Sequence, residues 1–279
     1  EKQMTAMRMA GKPVADKFRA EIAAKVEAAK QQGRQVVLAI LTVGQDPASF
    51  VYRKRLLGMA EKIGAGTRCV ELPEEASTEE TLAAIQALNE DPAVTGILPM
   101  MPMPPQIDSE AVGAALAPAK DMDCLNPMNG GALLLGQGRR AACTPRACLA
   151  ILEHYGIELD GKNVVVLGRS NVVGKPVALL LLQKNCTVTI CHSHTKNLTD
   201  ILQKADIVVA AIGKAGFVRP EMVRPGVVIV DVGINVTDNG IVGDVAPETE
   251  AQASAFTPVP GGVGTVSNIM MMDALTRDL

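Results

Sequence analysis

Gly168-Arg169-Ser170-Asn171-Val172-Val173-Gly174 follows directly on an apolar run, Val164 to Leu167, and leads directly into a stretch of helical character. A strand, a glycine turn and a helix in that order aim backbone N–H groups and the positive end of a helix at one point. That arrangement binds the pyrophosphate of a dinucleotide. Only two of the usual three fingerprint glycines are present, Gly168 and Gly174, with Arg169, Ser170 and Val173 between them. Taken alone, the heptapeptide fits a plain strand-to-helix turn without a ligand equally well. After the next apolar run comes Cys191-His192-Ser193-His194-Thr195-Lys196. An NAD site wants a carboxylate here to accept hydrogen bonds from the ribose 2′-hydroxyl. None is present, and hydroxyls, a histidine and the nearby Arg169 suit a 2′-phosphate. NADP is therefore expected in preference to NAD, with at least one of His192 and His194 a surface residue of no consequence.

The elements that must hold these residues can be read from periodicity and punctuation. Phe18, Ile22, Val26 and Ala29 recur at helical spacing until Gly33, and a buried strand follows from Val36 to Val43. Asp46 before Pro47 reads as an N-cap opening a helix to about Lys62. A strand, Arg68 to Leu72, leads to a capping box of Ser77 with Glu80 and a third helix. The strand Val94 to Leu98 runs into a Pro/Met loop, Pro99 to Pro105. A helix from about Pro145 to Tyr155 then precedes strands at Val164–Leu167, Thr187–Cys191, Ile207–Ile212 and Val227–Val232, with helices between the earlier ones. Such alternation, placing the glycine turn first in a βαβ array, favours the binding reading and predicts an α/β protein. It is expected to have two α/β domains, the second a Rossmann-like doubly wound parallel sheet, with a cleft between them. The boundaries are set at residues 1–142 plus a C-terminal helix, 265–279, for the first domain and 143–264 for the second.

Bulk composition excludes several function classes. The 279 residues are 48% hydrophobic and 20% charged, the balance of a globular chain. Aromatic residues are only 2%, leaving few rings to stack on bases, and a net charge of -3 offers no general attraction to nucleic acid or anionic membrane. No apolar run is long enough to span a bilayer, and no signal peptide is evident. The six cysteines lack metal-ligand spacing and fit a reducing, cytoplasmic compartment.

Taken in order, Val43-Gly44-Gln45-Asp46-Pro47-Ala48-Ser49 with Tyr52, Pro118-Ala119-Lys120-Asp121-Met122-Asp123, Cys143-Thr144-Pro145, Gly168 to Pro176, Cys191-His192-Ser193, Asp231 to Asn235, Gly243-Asp244-Val245 and Thr257 to Gly264 resemble the bifunctional methylenetetrahydrofolate dehydrogenase/methenyltetrahydrofolate cyclohydrolase family. The resemblance runs nearly end to end. It implies an oxidoreductase and hydrolase of one-carbon metabolism: NADP+ takes a hydride from 5,10-methylenetetrahydrofolate, and water then opens the 5,10-methenyl product to 10-formyltetrahydrofolate. Tyr52 and Asp123 carry over as catalytic and substrate-binding residues, Tyr52 stacking on the aminobenzoyl ring and Asp123 holding the pterin. Leu56, Met100, Met101 and the Pro260-Gly261-Gly262 turn complete the implied folate pocket. On the cofactor side stand Gly168, Arg169, Ser170, Val173, Gly174, His192, Ser193 and the backbone of Ile234. The resemblance also implies a homodimer; no metal is expected, because no His/Cys cluster has ligand spacing.

Two departures matter. Bifunctional members carry a lysine one helical turn after the tyrosine and a glutamine that hydrogen-bonds it; those positions hold Leu56 and Met100. Lys54 points roughly away from Tyr52's face, and Arg55 stays protonated and accepts no proton. Hydride transfer needs chiefly positioning. Hydrolysis needs a group that manages water's protons, worth ~10²–10⁴-fold. The expectation is a working dehydrogenase with weak or lost cyclohydrolase. The alternatives are a fully bifunctional enzyme with another proton acceptor, a dinucleotide-binding paralogue without catalysis, and some other Rossmann dehydrogenase.

Overall fold

The computed structural model describes residues 6–137, 140–238 and 240–279. A short strand β1 (Met7–Arg8) and a long helix α1 (Gly11–Gln31) open the chain. The described residues form two compact units: those of 17–141 with 268–279, and those of 6–16 with 142–267.

The first unit is built on β2 (Val37–Val43), β3 (Gly66–Leu72) and β4 (Gly96–Pro99), all parallel in the order β3-β2-β4. Helices α2 (Pro47–Lys62), α3 (Thr78–Glu90), α4 (Ser109–Ala115) and α5 (Pro127–Leu134) connect and follow them. β2 is the central strand, and six of its seven residues are buried, which is why it reads as an unbroken apolar run. Ala39, Leu41 and Val43 pack with Ile85 and Leu88 of α3 and with Val112 of α4. The capping box at the start of α3 is present in both directions, between Ser77 and Glu80. The sequence reading missed α4 and α5; both are short, and Asp108 and Asn126 cap them.

The second unit continues with α6 (Cys143–His154), β5 (Asn163–Leu167), α7 (Gly174–Leu182), β6 (Thr187–Cys191), α8 (Leu198–Leu202), β7 (Ile207–Ala210) and β8 (Val227–Asp231). A hairpin of β9 (Asn235–Thr237) and β10 (Gly240–Val242), the strand β11 (Ala253–Phe256) and the helix α9 (Val263–Leu275) complete the chain. Six strands form one parallel sheet in the order β1-β11-β8-β7-β5-β6. Val165, Leu167, Val208, Ala210 and Ile229 fill one face of it with Leu202 and Val218. This is the expected doubly wound, Rossmann-like sheet.

One boundary needs correction. Residues 6–16 lie with the six-stranded sheet rather than with 17–141, because Met7 and Arg8 pair in parallel with Ala255 and Phe256, and the Met9 N–H donates to the Phe256 carbonyl at 2.7 Å. Two-residue β1 carries no alternation for a sequence reading to find. Residues 1–5, 138, 139 and 239 of the expected domains lie outside the described residues. Among the described residues no helix is long and apolar enough to cross a membrane.

Candidate functional site

On the 17–141 unit, the expected substrate residues sit on the connections that leave the C-terminal edge of the sheet. Asp46, in extended backbone, accepts the Ser49 N–H at 2.7 Å, and Pro47 takes the first helical position, so α2 starts sharply after β2. Those N–H contacts hold the Asp46 carboxyl below its ordinary range. Tyr52 falls half-buried on this helix, and Leu56, one turn on, is completely buried. Arg53 pins the helix back onto the sheet: its guanidinium lies 2.8 Å from Glu71 on β3, 3.4 Å from the Thr42 hydroxyl on β2, and over the Phe50 ring. Lys54 and Arg55 are exposed.

At the end of β4 the Met100 N–H donates to the Leu41 carbonyl at 2.8 Å, and its side chain is 4% exposed, while Met101 is 38% exposed. Beside β4 runs the segment Lys120–Asp123, paired through Ile97 N–H to Lys120 carbonyl at 2.7 Å and Met122 N–H to Ile97 carbonyl at 3.3 Å. Gly96 makes this approach possible, since a Cβ there would stand 2.2 Å from the Met122 sulfur. The buried Asp121 carboxylate accepts the Leu125 N–H at 3.0 Å, the Asn126 N–H at 2.9 Å and the Asn129 amide at 2.8 Å. It thereby closes the loop that carries half-buried Asp123. Cys124 in this loop adopts a left-handed φ of 59°, and burial, with Asp121 and Asp123 nearby, pushes its thiol up to about 12. A thiol so held stays protonated and is no nucleophile.

The Pro260-Gly261-Gly262 turn belongs to the six-stranded unit. Pro260 and Gly261 are exposed and Gly262 is buried. Gly261 has φ 101°, and a Cβ on Gly262 would stand 2.4 Å from the Pro258 carbonyl. The Gly11 N–H donates to the Gly261 carbonyl at 2.7 Å, so the start of α1 braces the turn.

The dinucleotide features converge at the C-terminal end of β5. Gly168 has φ 112°, and a Cβ there would meet the Ala211 carbonyl at 2.2 Å; one on Gly174 would meet the Gly168 carbonyl at 2.3 Å. Both glycines are thus required for the backbone to fold this tightly. The Ser170 hydroxyl accepts the Val173 N–H at 3.1 Å and the Gly174 N–H at 3.3 Å, capping α7. Arg169 and Ser193 are exposed. Half-buried His192 is turned into its own loop, where Nδ1 accepts the His194 N–H at 3.2 Å and the backbone N–H donates to the Thr195 hydroxyl at 2.8 Å. Ile234 is 64% exposed at the end of the β8 connection. A guanidinium and a hydroxyl with no carboxylate at the β6 terminus form a donor set that fits a 2′-phosphate.

Two functional candidates escaped the sequence reading, Asp231 and Asp244. Both are buried. The Asp231 carboxylate accepts N–H groups of Gly233 and Asp244, each at 2.9 Å, and of Val245 at 3.0 Å. Burial nevertheless raises its pKa to about 6. The legible signal was the flanking glycine in Asp231-Val232-Gly233 and Gly243-Asp244: a Cβ on Gly243 would stand 1.9 Å from an Asp231 oxygen.

Two family profiles cover this chain: the catalytic domain of tetrahydrofolate dehydrogenase/cyclohydrolase matches residues 9–123, and its NAD(P)-binding domain matches residues 142–278. The chain belongs to this family. The bifunctional protein FolD of Ruminiclostridium cellulolyticum is 46% identical over 96% of this chain and 95% of its own length. Among solved structures, the FolD methylenetetrahydrofolate dehydrogenase/cyclohydrolase of Campylobacter jejuni superposes with a TM-score of 0.95 at 37% identity, covering 98% of each chain. The FolD of Trypanosoma brucei, solved with NADP cofactor and an inhibitor, superposes with a TM-score of 0.89 at 35% identity over 97% of this chain and 96% of that one. Tyr52, Leu56, Met100 and Asp123 all fall within the range matched by the catalytic-domain profile.

Proposed function

We propose that this protein is an NADP-dependent methylenetetrahydrofolate dehydrogenase in which the cyclohydrolase step is weak or lost. The observation that supports the proposal is the burial of two apolar side chains, Leu56 and Met100, at the positions where the resemblance puts the family's lysine and glutamine, with Tyr52 and Asp123 at the positions it gives to folate contacts. The unit of residues 17–141 is the folate-binding part. Tyr52 stacks on the aminobenzoyl ring, Asp123 accepts hydrogen bonds from the pterin, and Met101 contacts the substrate. On the six-stranded unit, Arg169 and Ser193 hold the 2′-phosphate beside His192. The Gly168–Gly174 turn, with Ser170 and Val173, receives the pyrophosphate at the N-terminus of α7, and the Ile234 backbone contacts the nicotinamide half. When bound, NADP+ supplies the hydride acceptor. The chain's own contribution is to bind and orient the two molecules and to exclude water.

Loss of the hydrolytic step follows from proton handling. Neither a leucine nor a methionine accepts a proton from water attacking the methenyl carbon, and a position withdrawn from solvent offers no ready replacement. The name borne by the relatives, bifunctional, favours a second reading in which another group performs that transfer. Two absorbance measurements on the purified protein separate the readings. The first follows NADPH formation from methylenetetrahydrofolate with NADP+ or NAD+; the second follows decay of methenyltetrahydrofolate. Reduction of NADP+ with little acceleration of that decay is expected. Rapid decay refutes the loss of hydrolysis, and no reduction with either nucleotide refutes the dehydrogenase. A homodimer in the cytoplasm completes the proposal, and sedimentation of the purified protein tests the dimer.

A further inference from the structure

The order of strands in the six-stranded sheet locates one crevice. β5 has β6, the next strand in sequence, on one side and β7 on the other, so the connections leaving β5 and β7 turn to opposite faces. Between their C-terminal ends opens the switch point at which doubly wound sheets bind ligands. Gly168 forms one wall of it. Because a Cβ on Gly168 would meet the Ala211 carbonyl, the opposite wall starts at Ala211 and continues through Ile212, Gly213 and Lys214.

That second wall is shaped by a carboxylate from a distant segment. Asp244, 0% exposed, accepts the N–H groups of Ile212 at 2.7 Å and Gly213 at 2.9 Å on one oxygen. Its other oxygen accepts the Lys214 N–H and the Asn235 side-chain amide, both at 2.9 Å. Three successive backbone N–H groups therefore wrap one buried carboxyl group, and the same group ties down the residue next to Ile234. Asp244 is itself oriented, since its own N–H donates to Asp231, whose backbone N–H donates to the Thr257 hydroxyl at 2.8 Å. Nothing larger than hydrogen fits at two neighbouring points, as Cβ atoms on Gly233 and Gly243 would fall 2.3 Å from an Asp244 oxygen and 1.9 Å from an Asp231 oxygen. A buried carboxylate is costly to keep unless its oxygens are filled, and here all the observed donors come from the rim of the crevice.

We propose that Asp244 is a positioning residue for the dinucleotide: through its contacts to Ile212, Gly213, Lys214 and Asn235 it holds the wall against which the nicotinamide half of the cofactor lies. The proposal rests on the NADP reading above and adds a division of labour within it. Arg169 and Ser193 read the adenosine end, and the wall held by Asp244 reads the other end.

Calorimetric titration of the full chain with two probes, NADP+ and 2′,5′-ADP, tests this. Asp244→Asn turns one acceptor oxygen into an amide facing N–H donors. It should weaken NADP+ about tenfold or more, the equivalent of losing one charge-assisted hydrogen bond. Binding of 2′,5′-ADP, which lacks the nicotinamide half, should stay within about twofold, because its contacts are elsewhere. Equal weakening of both probes, or no change in either, overturns the proposal. Asn235→Ala removes a single donor and leaves the nest intact, so it stays informative should Asp244→Asn fail to fold. It is expected to weaken NADP+ by about threefold with 2′,5′-ADP unchanged, and an unaltered NADP+ affinity in this variant again overturns the proposal. Wild-type protein that binds neither probe would instead overturn the cofactor reading beneath it.

Discussion

Restoring the family's polar pair is the sharpest perturbation the structure offers. Leu56 is completely buried and Met100 nearly so. Leu56→Lys alone forfeits about 2 kcal/mol of apolar burial and adds several kcal/mol for dehydrating an ammonium group. Met100→Gln alone leaves a buried amide short of partners, at roughly 1–3 kcal/mol. On the proposed reading, in which lysine and glutamine at these positions hydrogen-bond each other, the combined loss in the double variant should fall short of the sum by about 1–3 kcal/mol. Burial also depresses the new lysine's pKa, so its penalty is full at low pH and relieved as pH rises through the folded value towards the unfolded one. Denaturant unfolding of all four proteins at pH 6 and pH 9 measures the coupling, and decay of methenyltetrahydrofolate measures the gain. The double variant should hydrolyse ~10²–10⁴-fold faster than the parent, with Leu56→Lys alone recovering only part of this. Additive stabilities, or a parent that already hydrolyses as fast as the double variant, would refute the reasoning.

Other outcomes follow from the same geometry. Gly168→Ala places a methyl group 2.2 Å from the Ala211 carbonyl at a left-handed φ, so stability should drop by about 2 kcal/mol or more and NADP+ titration should show binding largely lost. Arg169→Ala and Ser193→Ala should each raise KM for NADP+ by about tenfold while leaving KM for NAD+ nearly unchanged, and a parallel rise for both nucleotides would show that neither residue meets the 2′-phosphate. Asp231 has its pKa raised by burial from 3.8 to about 6. Its contribution to stability is therefore complete below pH 3.8 and lost as pH climbs through 6, by about 3 kcal/mol in all. The stability of wild type minus that of Asp231→Asn should accordingly fall by that amount between pH 4 and 7; a difference that stays constant would show that Asp231 ionises normally.

Most of the scaffold was legible because its signals are local. The Asp46-Pro47 start of α2, the Ser77–Glu80 capping box and the apolar runs of β2, β5, β7 and β8 depend on neighbours within a few residues, and each appears where the residues place it. The elements that went unread are short or conditional. β1 has two residues and exists only because β11 offers an edge, and α4 and α5 have seven and eight.

The residues themselves determined the order of elements, the family, the missing carboxylate after β6 and the apolar side chains at positions 56 and 100, because each is a matter of residue type at a fixed place along the chain. Tertiary structure alone decided that residues 6–16 join the six-stranded sheet, that Leu56 and Met100 are withdrawn from water, and that Asp121, Asp231 and Asp244 are anchors rather than surface charges. A carboxylate's role depends on which N–H groups surround it. For Asp244 they come from residues 9 to 32 positions away, brought together only when the strands align.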